Sequence, residues 1–119
     1  MRARSIVCAL LSLVALVSLS GCGSMVTYRW PLSGAAPPSG RPLVYFEGSL
    51  PSAGIQELEM VEAVGGGTHA NVEDVVNAMQ DEAQWYGANA IVRVRVDCGH
   101  GTCHGYGVAI RFVGPPPQP

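Results

Sequence analysis

Hydrophobic and polar positions divide the chain into stretches of different character. Ser5 to Ser20 is almost unbroken apolar sequence behind a short cationic start, Met1-Arg-Ala-Arg4. Gly23 to Pro42 has no sustained period: Pro31, Pro37, Pro38 and Pro42 stand among Gly, Ser and Ala, interrupted by Tyr28, Arg29 and Trp30. Periodic order begins at Leu43-Val-Tyr-Phe46, a run of strand formers closed by Gly48 and Pro51. Glu57 to Val64 alternates, with Leu58, Met60 and Val64 on one side and Glu57 and Glu59 on the other, which predicts a half-buried strand ended by Gly65-Gly-Gly67.

A helix is expected next. Asn71 suits its N-cap, Glu73 and Asp74 its first turn, and Gly87 its stop. Val72, Val75, Val76, Met79 and Ala83 fall on one stripe of it. Two further strands follow: Val92, Val94 and Val96 are expected inward with Arg93 and Arg95 outward, then Val108, Ile110 and Phe112 inward with Arg111 opposite. The order β-β-α-β-β predicts an α+β domain, a small antiparallel sheet of about four strands packed by one helix. A signal peptide and a disordered tether precede it. The expected divisions are a lipoprotein signal peptide at 1–21, a lipidated Cys and Pro/Gly/Ser-rich tether at 22–42, the domain at 43–113 and a Pro-rich tail at 114–119.

The apolar head is shorter than the roughly 20 residues that span a bilayer, and its cationic start and small-residue end read as an export signal. It closes on Leu19-Ser-Gly-Cys22, which resembles the bacterial lipobox. That resemblance makes Cys22 the acylated first residue of the mature chain. Residue 23 is Gly rather than the Asp associated with inner-membrane retention, so the expected address is the periplasmic face of the outer membrane.

Charge and composition narrow the function. Charged residues make up 13% of the 119, about half the usual share. All seven basic residues are arginines. Loss of 1–21 removes Arg2 and Arg4, so five arginines face nine carboxylates and the formal charge becomes −4. No cationic face suited to nucleic acid is left. The glycine run at 65–67 lacks the spacing and the lysine of a phosphate cradle. Glu57, Glu59 and Glu62 read as a solvated strand face, paired across strands with Arg93 and Arg95, rather than as an acid/base pair. His69 reads as a solvated loop residue. No nucleophile-and-base constellation is legible, no catalytic residue is assigned, and the chain is expected not to be an enzyme.

The remaining chemistry lies in Cys98-Gly-His-Gly-Thr-Cys103-His104, at the turn of the last hairpin. In an oxidising periplasm Cys98 and Cys103 read as a disulfide. One objection is parity: counting on from Val96 puts Cys98 inward, counting back from Val108 puts Cys103 outward, and a bulge near Gly105 or Gly107 would reconcile them. Two alternatives stay open. Cys98, His100, Cys103 and His104 form a donor set for a soft metal, zinc or copper. The Cys-x-x-x-x-Cys-His spacing also resembles a long-spaced c-type haem attachment motif.

The segment Glu82 to Val96, centred on Tyr86-Gly-Ala-Asn-Ala-Ile-Val92, followed by a Cys-bearing turn and Gly105-Tyr-Gly-Val-Ala-Ile-Arg111, resembles the RcsF-like outer-membrane lipoproteins and the related YbjQ-type small domains. The resemblance covers about 43–113 and is strongest over the last 40 residues or so. It implies a disulfide-stapled domain that senses envelope damage by contact with partner membrane proteins. In that family one disulfide reaches from the final hairpin to the loop before the helix; here that loop, Gly65-Gly-Gly67, has no cysteine, which leaves the local pair. The YbjQ-type likeness implies oligomerisation and a label of heavy-metal binding. The expected function is a lipid-anchored, non-enzymatic periplasmic interaction or sensor module, with membrane and envelope proteins as partners, no nucleic acid and the oligomeric state open. The alternative is a soft-metal-binding lipoprotein that uses the Cys/His cluster.

Overall fold

The computed structural model describes residues 23–32, 40–50 and 54–114. The expected signal peptide, Cys22, residues 33–39 and the Pro-rich residues 115–119 lie outside the described residues. The elements are β1 (Ser24–Pro31), β2 (Leu43–Phe46), β3 (Ile55–Gly66), a short 3-10 turn (Gly67–His69), α1 (Val72–Trp85), β4 (Ala90–Gly99) and β5 (Thr102–Phe112).

The class is α+β with one α-helix among the described residues, as expected, but the sheet differs in two ways. It has five strands, in the order β1-β3-β5-β4-β2, and the extra one comes from the stretch expected to be tether. Ser24 to Pro31 carries Val26, Tyr28 and Trp30 on one face and Met25, Thr27 and Arg29 on the other, a β-prone alternation whose signal is lost in the proline and glycine that surround it. It pairs antiparallel with β3 from Ser24–Gly66 to Pro31–Glu59. The sheet is also mixed rather than antiparallel, because β2 runs parallel to β4. With β3 and β4 each antiparallel to β5, β2 and β3 point the same way and do not form a hairpin.

Local chemistry sets the helix ends where the sequence predicts. Asn71 Oδ1 accepts the Asp74 N–H at 2.8 Å. At the other end Gly87 takes φ 70°, and the N–H groups of Gly87 and Ala88 donate to the carbonyls of Gln84 and Ala83. That pattern is a Schellman stop, which a glycine adopts without Cβ strain. Val75, Met79 and Ala83 are buried against the sheet, whereas Val72 in the first turn is nearly half exposed. Ahead of β2, Arg41 donates to Asp81 and Asn77, and the Pro42 carbonyl accepts from Gln80, which ties the chain to the outer side of α1.

Two bulges decide which face each side chain takes. Arg93 adopts φ 54°, and the register jumps from Val92–Val108 to Arg95–Tyr106. Ile91 and Val94 therefore join the helix-side core, while Val92 packs on the opposite face with Ala90 and Ile110. The expected row Val92-Val94-Val96 is thus broken, and Val108, Ile110 and Phe112 face away from the helix. In β3, Leu58 is the extra residue between Glu57–Ile110 and Glu59–Ala109. Past it Glu59, Val61 and Ala63 lie under the helix and Met60, Glu62 and Val64 on the far face, the reverse of the expected assignment for Met60, Val64 and Glu59. The cysteine parity is restored by the Arg93 bulge in β4, which lies across from Gly107, one of the two expected places: Cys98 and Cys103 are directly opposed.

The helix rests on a row of small residues, Cys103, Gly105, Gly107 and Ala109, all buried. A Cβ at Gly105 would collide with Val75 and stand 3.0 Å from Met79 Sδ; one at Gly107 would stand 2.8 Å from Ile91 Cγ2. Close packing of this kind leaves no room for an added methyl. Gly105→Ala is expected to destabilise the fold by about 1–3 kcal/mol through overpacking, read as a lower urea midpoint; Gly99→Ala, with open space around its position, is the control for a general glycine effect.

Candidate functional site

With α1 on one face, the opposite face of β1, β3 and β5 carries no covering element among the described residues. Register sets its rows: Trp30–Met60–Val108, then Tyr28–Glu62–Tyr106, then Val26–Val64–His104. Tyr28, Trp30, Met60 and Tyr106 each keep 41–50% of their surface open. Tyr28 and Trp30, two apart on β1, stack with ring centroids 6.4 Å apart and planes at 26°. His104 meets Tyr106 edge to face at 6.3 Å. Trp30, Met60, Glu62, His104 and Tyr106 line a shallow concavity of about 470 Å³. At its rim the His104 Nε2 pairs with a Glu62 carboxylate oxygen.

This surface was only partly visible in the sequence. Tyr28 and Trp30 stood out as aromatics in a supposed linker, and His104 as a metal donor. Glu62 and Tyr106 were not linked to either. The signal that unites them is alternation in Ser24–Pro31, which sets Val26, Tyr28 and Trp30 on one side of a strand.

The Cys/His cluster is not assembled as one donor set. The Cys98 and Cys103 sulfurs lie at disulfide distance, 1.97 Å, with Cys98 exposed and Cys103 buried under the helix. His100 occupies the turn with φ 53°, followed by Gly101 at φ 75°. Two successive left-handed residues between paired Gly99 and Thr102 make the hairpin turn that suits strand twist. His104 projects to the other face of the sheet from Cys103, onto Glu62. Among the described residues, no group of three or more His, Cys, Asp or Glu side chains is placed to hold a metal ion.

The carboxylates also part company. Glu57 is paired with Arg93 at 2.9 Å, as expected. Arg95 turns instead to Asp97, at 3.2 Å. His69 sits beside the helix start, with Nδ1 2.9 Å from Asp74, and this hydrogen bond holds the Asp74 carboxyl below its ordinary value. Glu59 is the exception: expected on a solvated face, it is fully buried under α1, and neither oxygen has a hydrogen-bond partner among the described residues. Burial pushes its carboxyl up to about 7, the nearby Glu82 charge adds to this, and Arg29 opposes it. Arg29, from β1, pairs with Glu82 at 2.6 Å and lies over the Tyr86 ring at 4.9 Å, linking the edge strand to the end of the helix.

Two outcomes follow. Glu59 holds its proton more tightly folded than unfolded, so protonation favours the native state, and stability should fall as pH rises from 4.5 to about 7. Urea midpoints measured from about pH 5 to pH 8 should decline in the parent chain and flatten in Glu59→Gln; a parent midpoint that rises over that range counts against the assignment. For the hairpin, intact mass of the mature protein should show a two-hydrogen deficit that reductant removes. Closure of so short a loop is worth about 2 kcal/mol, to be lost in Cys98→Ser. Free thiols with bound zinc or copper would instead restore the metal reading of Cys98, His100, Cys103 and His104. No protein-family model, no curated protein and no solved structure matches this chain.

Proposed function

We propose that this chain is a non-enzymatic interaction module of the bacterial envelope, held on the periplasmic face of the outer membrane by an acylated Cys22, and that it relays envelope stress by protein contact. The observation that carries this reading is the aromatic face of the sheet. Exposed contiguous apolar surface on a small domain marks interaction sites, and aromatic side chains supply much of the binding energy where proteins meet. Trp30 and Tyr106 flank the concavity from two different strands, so a partner that enters it contacts both. The lining combines aromatic rings, a thioether and one imidazole–carboxylate pair, a composition suited to a protein surface with an apolar anchor and a polar rim. The lipobox supplies the anchor, and the RcsF-like resemblance supplies the stress-sensing role.

The test is made in cells that express the full chain. A photoreactive residue at Tyr28, beside the concavity, should capture an envelope protein, and Trp30→Ala with Tyr106→Ala should reduce that capture at least tenfold while leaving the free energy of unfolding in urea within about 1 kcal/mol of the parent, as for exposed positions. If deletion of the protein leaves envelope-stress output unchanged and no envelope protein is captured, the proposal fails.

A further inference from the structure

The proline-rich stretch expected to separate the lipid from the domain does not precede the fold. It follows β1. Gly23, the residue bonded to Cys22, is already packed: a Cβ there would collide with Thr68 and stand 2.7 Å from His69 Cδ2 and 3.1 Å from the Gly66 carbonyl. Ser24 is in register with Gly66, and Gly66 with Thr102, which pairs with Gly99. One end of the sheet thus gathers the start of β1, the 3-10 turn and the β4–β5 hairpin turn. Consecutive Cα atoms are 3.8 Å apart, so no free chain intervenes between residue 22 and this end.

Resting on the reading of Cys22 as acylated, we infer that this end of the sheet lies against the phospholipid surface, with the Gly99–Thr102 turn and the Gly67–His69 turn as the contact. The sheet then stands end-on rather than ranging on a tether. The surface chemistry agrees with close approach. Gly67, Thr68, His69, Gly99, His100, Gly101 and Thr102 are small or polar residues, exposed, with no carboxylate or large apolar side chain among them. Nothing there resists a headgroup layer, and nothing demands insertion beyond it. Behind the 3-10 turn, in the first turn of α1, Asp74 is engaged by His69 and Glu73 is exposed. The acyl chains supply the binding energy; the packing of Gly23 supplies the orientation.

The experiment uses the full acylated chain in vesicles of phosphatidylethanolamine and phosphatidylglycerol. A benzophenone amino acid is placed at Thr102, separately at Thr68, and as a control at Val113, which is 64% exposed at the opposite end of β5. Lipid adducts are expected at 102 and 68, at least fivefold above those at 113. Insertion of about 20 Gly/Ser residues between Cys22 and Gly23 should lower them to the control level. Circular dichroism of each labelled chain confirms folding, and two independent contact positions keep one poorly folding variant from deciding the result. An acyl group on Cys22 with adducts at 102 and 68 no greater than at 113, or unaffected by the insertion, overturns the orientation and leaves the anchor standing. An unmodified Cys22 in the mass of the mature chain overturns both.

Discussion

The close seat of α1 on β5 is the contact on which the rest of the structure depends. Val75 and Met79 reach the sheet because β5 offers glycine at 105 and 107 where an ordinary strand would present side chains. The flanking positions on that row, Cys103 and Ala109, are small as well, and both are buried. One consequence is that the helix-side core is thin and extends sideways into Leu58, Val61, Ile91 and Val94. Another is that between Cys103 and Ile110 the bulk of β5 goes to the opposite face: His104, Tyr106, Val108 and Ile110 alternate with the small row. A period of two makes this unavoidable, since whatever is kept off one face of a strand is displayed on the other. The aromatic surface and the tight helix seat are two sides of the same strand.

How much of this the sequence disclosed follows from which signals are local. The helix and its ends were legible, because its cap, its stripe and its glycine stop each act within a few residues, although Val72 at the start of the stripe stays exposed. The strands were legible as strands but not as faces. Alternation identifies a strand, yet a bulge exchanges its faces, and neither Leu58 nor Arg93 announces one: both fit the alternation on either side. Arg93 holds a left-handed conformation usually given to glycine, so the usual marker is missing. The burial of Glu59 follows from the first of these shifts, since the Leu58 bulge turns the next residue beneath the helix.

The site was less legible, for a different reason. Its members come from β1, β3 and β5, and only register brings them together. Trp30 meets Met60 and Tyr28 meets Glu62 through a strand that composition concealed, because four prolines between Pro31 and Pro42 dominate the average over that stretch. The Cys/His cluster shows the converse case. Donors crowded in sequence suggested a shared site, but adjacent residues on a strand point to opposite faces, and Cys103 and His104 are divided by the sheet itself. Proximity along the chain argues for a site in a loop or a helix turn and against one in a strand.

The strand hidden in the supposed tether also changes what an anchor at Cys22 would do. A flexible linker of twenty residues would allow the domain to explore a broad shell above the membrane; a strand that starts at Ser24 does not. Trp30 lies seven residue steps along the chain from Gly23, which is about 23 Å of extended strand. With Cys22 acylated as proposed, an aromatic face held at that height by a fold rather than a linker would meet its partners in a fixed orientation, with little rotational freedom left to lose on binding. Such a surface would select for proteins that present their contacts close to the same lipid surface. Arg29 fits this arrangement from the helix side: its pairing with Glu82 and its place over Tyr86 keep β1 joined to the body of the domain, so a load on the anchor would be passed to the helix end and the sheet together.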